Sequence, residues 1–76
     1  METVNRKSIL SEREYEVMEK VAEGKYNKEI ADDLNCETTT IKKHLQNIFP
    51  KLGVQNRTEA SIKFMEITGK LNPVIE

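Results

Sequence analysis

The chain has 76 residues, 37% hydrophobic and 33% charged, with a net charge of −1 and a single cysteine. That length allows one domain, close to the lower size at which a core supports itself. Cys36 alone excludes an internal disulfide and fits a reducing compartment. No apolar run approaches the roughly 20 residues of a membrane span, and the first ten residues lack a signal peptide's apolar core. The expectation is a cytoplasmic protein with no membrane partner.

The near-neutral sum hides an uneven distribution. Residues 1–37 carry −4, residues 38–58 carry +4 without one acid, and residues 59–76 carry −1. A basic middle behind an acidic front is a stronger indication of partner than the total.

Residues 1–9 are polar and lack periodicity, and read as a flexible arm or linker remnant. Ser11 precedes Glu14 at capping-box spacing and opens a first helix over about 12–22. Val17, Met18, Val21 and Ala22 face inward, Tyr15 sits half buried at their edge, and Gly24 closes the helix in left-handed geometry. Asn27 is expected to cap a second helix over about 28–34, with Ile30, Ala31 and Leu34 inside. The break that follows is too short for anything but a sharp turn, with Asn35 the residue best suited to a left-handed conformation.

A third helix, about 39–52, is expected to be capped by Thr38 or Thr39. It carries Ile41, Leu45, Ile48 and Leu52 as one apolar stripe at helical period. At about 100° per residue, the opposite face collects Thr39, Lys42, Lys43 and Gln46, and no acid. That face is either ordinary solvated surface or a groove reader, and the missing acid favours the second. Pro50 lies on the same face; it removes the hydrogen bond to the Gln46 carbonyl and is expected to bend the helix after Phe49. Gly53 ends the helix.

Asn56 or Thr58 opens a fourth helix over about 57–68, with Ala60, Phe64 and Ile67 inside and Gly69 as its stop. Residues 72–76 form a tail. The fold class is therefore all-α: four helices, the second and third in helix-turn-helix geometry, within a domain spanning 10–71.

These residues resemble the LuxR-type (GerE-like) DNA-binding domain. Its first half is similar to Leu10-Ser11, Arg13-Glu14, Glu16-Val17, Gly24, Asn27-Lys28-Glu29-Ile30-Ala31 and Leu34. Its second half is similar to Thr40-Ile41-Lys42, His44, Asn47-Ile48, Lys51-Leu52-Gly53-Val54, Arg57 and Ala60. The resemblance needs no gap. It implies a bacterial transcription regulator, commonly the output half of a two-component or autoinducer-binding protein. Its third helix would enter the major groove of double-stranded DNA, and its fourth would make a dimer contact.

By position, the resemblance assigns base reading to Lys42, Lys43 and Gln46. It assigns contacts with the DNA backbone to Asn27, Lys28, Thr39, Thr40, Lys51 and Arg57. The sequence departs from the family at Glu37, where a Ser or Thr cap is usual, and at Lys43, Pro50 and Ser61.

Other readings of single residues stand beside these. Arg57 and Glu14 form either a helix-pinning ion pair or part of the DNA contact. His44 lies nearer the apolar stripe than the reading face and reads as structural, as does Cys36. Ile62, Met65 and Gly69 share a side of the fourth helix away from its core residues, and read as a homodimer interface.

No metal constellation, nucleophile–base pair or Gly-rich phosphate loop is visible, so neither an enzyme nor a bound cofactor or small-molecule ligand is expected. The alternative function is a protein-interaction module presenting the acidic first helix, with Glu12, Glu16, Glu19 and Glu23, to another regulator.

Overall fold

The computed structural model describes residues 9–69. The expectations for the arm before Ile9, for the domain's last two residues and for the tail lie outside them. Among the described residues the chain forms four helices and no strand: α1 (Glu12–Ala22), α2 (Asn27–Leu34), α3 (Thr38–Leu52) and α4 (Arg57–Thr68).

Local chemistry sets the helix ends. The Ser11 hydroxyl accepts from the Glu14 N–H at 3.1 Å, and the Glu14 carboxylate accepts from the Ser11 N–H at 2.9 Å. The expected capping box therefore forms. At α4 the Asn56 side chain accepts from the Glu59 N–H at 2.8 Å, so Asn56 is the cap and Thr58 is not.

Two expected caps are displaced by one residue or more. Helix α2 begins at Asn27 itself, with Tyr26 in the extended cap position. The Asn27 amide oxygen accepts from Arg57, which takes it away from capping, while the Tyr26 N–H donates to Glu29 at 2.7 Å. Helix α3 begins at Thr38, behind Glu37 with φ −89° and ψ 152°. Neither Thr38 nor Thr39 is its cap. Helices α2 and α3 both lack a side-chain cap, unlike α1 and α4.

The turn between α2 and α3 depends on Asn35, the one non-glycine residue with positive φ among those described (φ 60°). Asparagine tolerates that region because its short polar side chain bonds locally. Gly53 closes α3 in the same region at φ 70°. Between them α3 runs unbroken through Pro50, so the proline does not end the helix. The proline is exposed, on the side opposite the buried stripe, as the angular count placed it.

The core gathers one stripe from each helix. Val17, Met18 and Val21 of α1, Ile30 and Ala31 of α2, Ile41, Leu45, Ile48 and Leu52 of α3, and Ala60 and Phe64 of α4 are buried, joined by Leu10. Each large side chain among them contributes about 1.5–3 kcal/mol by leaving water. Tyr15 closes the α1–α4 seam, its ring edge-on to Phe64 at 5.0 Å. Cys36 is half buried against this core, and so is Ile67. Helix α2 packs on α3, and α1 packs on both α3 and α4, so α3 has support along its inner side.

Candidate nucleic-acid interface

Because Ile41, Leu45, Ile48 and Leu52 are buried, the far side of α3 must meet solvent. Thr39, Lys42, Lys43 and Gln46 are all exposed there, and Thr40 is half buried at the flank. None of the two lysines, Gln46 or Thr39 bonds to another described residue through its side chain. The helix thus presents two unengaged cations and one amide on a rigid, acid-free surface. His44 is half buried, and close enough to Glu14 to act on its charge, so it belongs to the supporting side of α3.

The other two cations of the acid-free segment are engaged differently. Lys51 donates to the Glu14 carboxylate at 2.7 Å, with side-chain exposures of 43% for the lysine and 7% for the glutamate. Glu14 is the one buried charged residue described, and its Oε1 accepts from both Lys51 and the Ser11 N–H. Burial alone would raise its carboxyl. The hydrogen bonds from Lys51 and Ser11, with the charges of Lys51 and His44, outweigh that and hold it below the ordinary value of 4.5.

Arg57 sends one guanidinium nitrogen to the Asn27 side chain at 2.7 Å and the other to the Lys25 carbonyl. The fork ties the start of α4 to the start of α2. The ion pair considered between Arg57 and Glu14 does not form; each has a different partner, because Glu14 faces the end of α3 and Arg57 faces the start of α2.

The start of α2 is fixed further by Asp33, which accepts from Lys25 at 2.8 Å and lies 3.6 Å from Lys20. The hydrogen bond from Lys25 is the main reason the Asp33 carboxyl is held below its ordinary range, and Asp33 in turn raises Lys25. Lys28 is exposed beside this braced turn. The structure therefore brings together Asn27, Lys28 and Arg57 at one end of α2. It leaves Lys42, Lys43 and Gln46 open on α3, and joins Lys51 to α1.

Tyr26 lies between Gly24 and Asn27, where the sequence assigned no role. It is 76% exposed, the highest value among the exposed large apolar side chains described. An aromatic residue flanked by lysine and asparagine at a helix start was the available signal. On α4, Ile62 is exposed at 46%, Met65 is half buried and Gly69 is exposed. Ile62 borders a shallow open hollow with Gly53, Val54 and Lys63. No helix among the described residues is long and apolar enough to cross a membrane.

Comparison with known proteins agrees with this geometry. Residues 8–64 match the family described as "Bacterial regulatory proteins, luxR family". The chain is 42% identical over 62 residues to the nitrate/nitrite response regulator protein NarP of Escherichia coli, covering 82% of this chain and 29% of that protein. It is 45% identical over 53 residues to the transcriptional regulatory protein LiaR of Bacillus subtilis, covering 70% of this chain and 25% of that protein. It is 44% identical over 55 residues to the HTH-type transcriptional regulator MalT of Yersinia pestis, covering 72% of this chain and 6% of that protein. The chain thus spans less than a third of the length of these relatives. With the family match extending from before α1 into α4, the chain belongs to the luxR family of bacterial regulatory proteins, as its helix-turn-helix domain.

Proposed function

We propose that this domain binds double-stranded DNA with sequence specificity, placing the exposed face of α3 in the major groove as the output part of a bacterial transcription regulator. The observation that carries the reading is the contrast on and around α3. Its outer face holds Lys42, Lys43, Gln46 and Thr39 without an internal partner, and its inner face is wholly buried. Lysine pairs with guanine acceptors and glutamine with adenine, at about 1–3 kcal/mol of discrimination for a good pair.

Lys28, Asn27, Thr39 and Thr40 lie at or near the starts of α2 and α3, which have no side-chain cap. Amides and side chains at helix starts are suited to phosphate oxygens. Lys51 and Arg57 are assigned to the DNA backbone as well, but each has an internal partner first. Lys51, at 43% exposure, retains hydrogens for a phosphate.

Four cations would have given a salt slope of roughly −3 to −5 per subunit. With Lys28, Lys42 and Lys43 as the open ones, about −2 to −3 is expected. A slope that shallow calls for two subunits on half-sites about one helical turn apart. Ile62, Met65 and Gly69 on α4 supply the proposed homodimer contact.

The test is a gel-shift titration against fragmented genomic DNA at several salt concentrations. Binding to a subset of fragments, with affinity falling as salt rises, is the expected result. Absent or salt-insensitive binding would instead favour a protein-binding role for the acidic first helix.

A further inference from the structure

We propose that Tyr26 is a DNA-backbone contact of this domain, its phenol O–H donating to a phosphate oxygen beside the start of α2. The inference rests on the DNA-binding reading above and adds to it a residue that neither charge nor spacing had selected.

Three observations carry it. The first is exposure: Tyr26 is 76% exposed, while the chain's other tyrosine, Tyr15, is half buried against Phe64. An aromatic side chain standing that far into solvent has no role in the core, and a small domain has few large apolar groups to leave outside it.

The second is rigidity. The backbone on both sides of Tyr26 is held by unrelated bonds. The Tyr26 N–H donates to Glu29, the Tyr26 carbonyl accepts from the Ile30 N–H, the Lys25 carbonyl accepts from Arg57, and the Lys25 N–H donates to the Lys20 carbonyl. The ring is therefore carried on a fixed base, so little backbone entropy is lost when it meets a partner.

The third is place. Tyr26 immediately precedes the first helix of the helix-turn-helix pair, the one that crosses the DNA backbone when the second occupies the groove. Lys28 is open beside it, and the nearby Glu29 is already bonded through one carboxylate oxygen to the Tyr26 N–H. Tyrosine is among the side chains that bond phosphate, and a neutral donor fixes register without releasing a counterion.

The test uses this chain and its Tyr26→Phe variant with a mixed-sequence duplex about three helical turns long. Affinity is read by fluorescence anisotropy across a salt series. Tyrosine iodination with and without the duplex is followed by mass spectrometry. The change removes one oxygen from an exposed ring and leaves the core untouched.

Tyr26→Phe is expected to bind roughly fivefold or more weakly at every salt concentration, since a bond to a charged acceptor is lost. The salt slope should be unchanged, and the duplex should protect Tyr26 from iodination. Equal affinity of the two proteins, or an iodination rate at Tyr26 indifferent to the duplex, overturns the proposal while leaving DNA binding intact. Failure of the unsubstituted protein to bind the duplex at low salt sinks the DNA-binding reading and this contact with it.

Discussion

Lys42 and Lys43 stand on the outer face of α3 with no described residue bonded to them, whereas Lys51 and Arg57, at the end of α3 and the start of α4, each have an internal acceptor. All four belong to the same acid-free segment and look alike in the sequence. The difference comes from what each one faces. Near its end α3 lies against α1, where Glu14 is buried and needs a cation. The start of α4 lies against the start of α2, where a carbonyl and an amide await donors. One pair of cations is spent on holding the helices together, and the other remains available to a partner. A count of basic residues therefore overstates the charge a small domain can offer to DNA.

The largest effect that would break this contrast is at Arg57. Arg57→Ala removes both guanidinium bonds and should lower stability by about 2–3 kcal/mol, read as a drop in the urea midpoint. Arg57→Lys should recover little, because an ammonium lacks the fork that reaches two acceptors. An unchanged midpoint for Arg57→Ala would mean the fork anchors nothing.

Lys51→Met comes next. It leaves the buried Glu14 carboxylate with only the Ser11 N–H, which should cost about 1–2 kcal/mol after allowing for the lysine's partial exposure. Adding Glu14→Gln should return part of that loss. If the two substitutions instead sum independently, the pair is not coupled.

On the other side of the comparison, Lys42→Ala and Lys43→Ala should each move stability by no more than about 0.5 kcal/mol. Their proposed role is in DNA binding. Lys43→Ala is expected to change the ranking of duplexes that differ at one base pair, by about 1 kcal/mol or more. A uniform weakening across all duplexes would make it a backbone contact.

The smallest effect is a pH dependence. The Glu14 carboxyl is held below its ordinary value of 4.5 in the folded protein, so it binds fewer protons there than in the unfolded chain. Its contribution to stability is present above that ordinary value and is lost as the pH falls through the lower folded one. Thermal unfolding should show a shallower acid loss in Lys51→Met than in the unsubstituted chain, and equal slopes would remove Lys51 as the cause.

Most of the fold was legible in the sequence because its signals are local. The four apolar stripes, the Ser11–Glu14 box, the Asn35 turn and the Gly53 stop each depend on residues a few positions apart, and so does the choice of Asn56 or Thr58 that the sequence left for the last cap. The cap misreadings at Asn27 and at Thr38 or Thr39 are instructive in different ways. Asn27 has a capping side chain, but a distant arginine uses it. At α3, Glu37 occupies the extended position where the sequence had offered a threonine. Of the candidate interface, the open face of α3 followed from helical period alone. The exposure of Tyr26 was not legible, because exposure of an aromatic side chain is not a periodic property.

The sequence by itself determined which residues form helices, which side of each is apolar, and that the outer side of α3 carries cations without an acid. Only the tertiary structure decided which cations are free. The Lys51–Glu14 and Arg57–Asn27 bonds join residues 37 and 30 positions apart. The stretch between them carries no record of that meeting. Pairing at such distance depends on how whole helices dock, and the buried stripes set that docking before any charged side chain finds its acceptor.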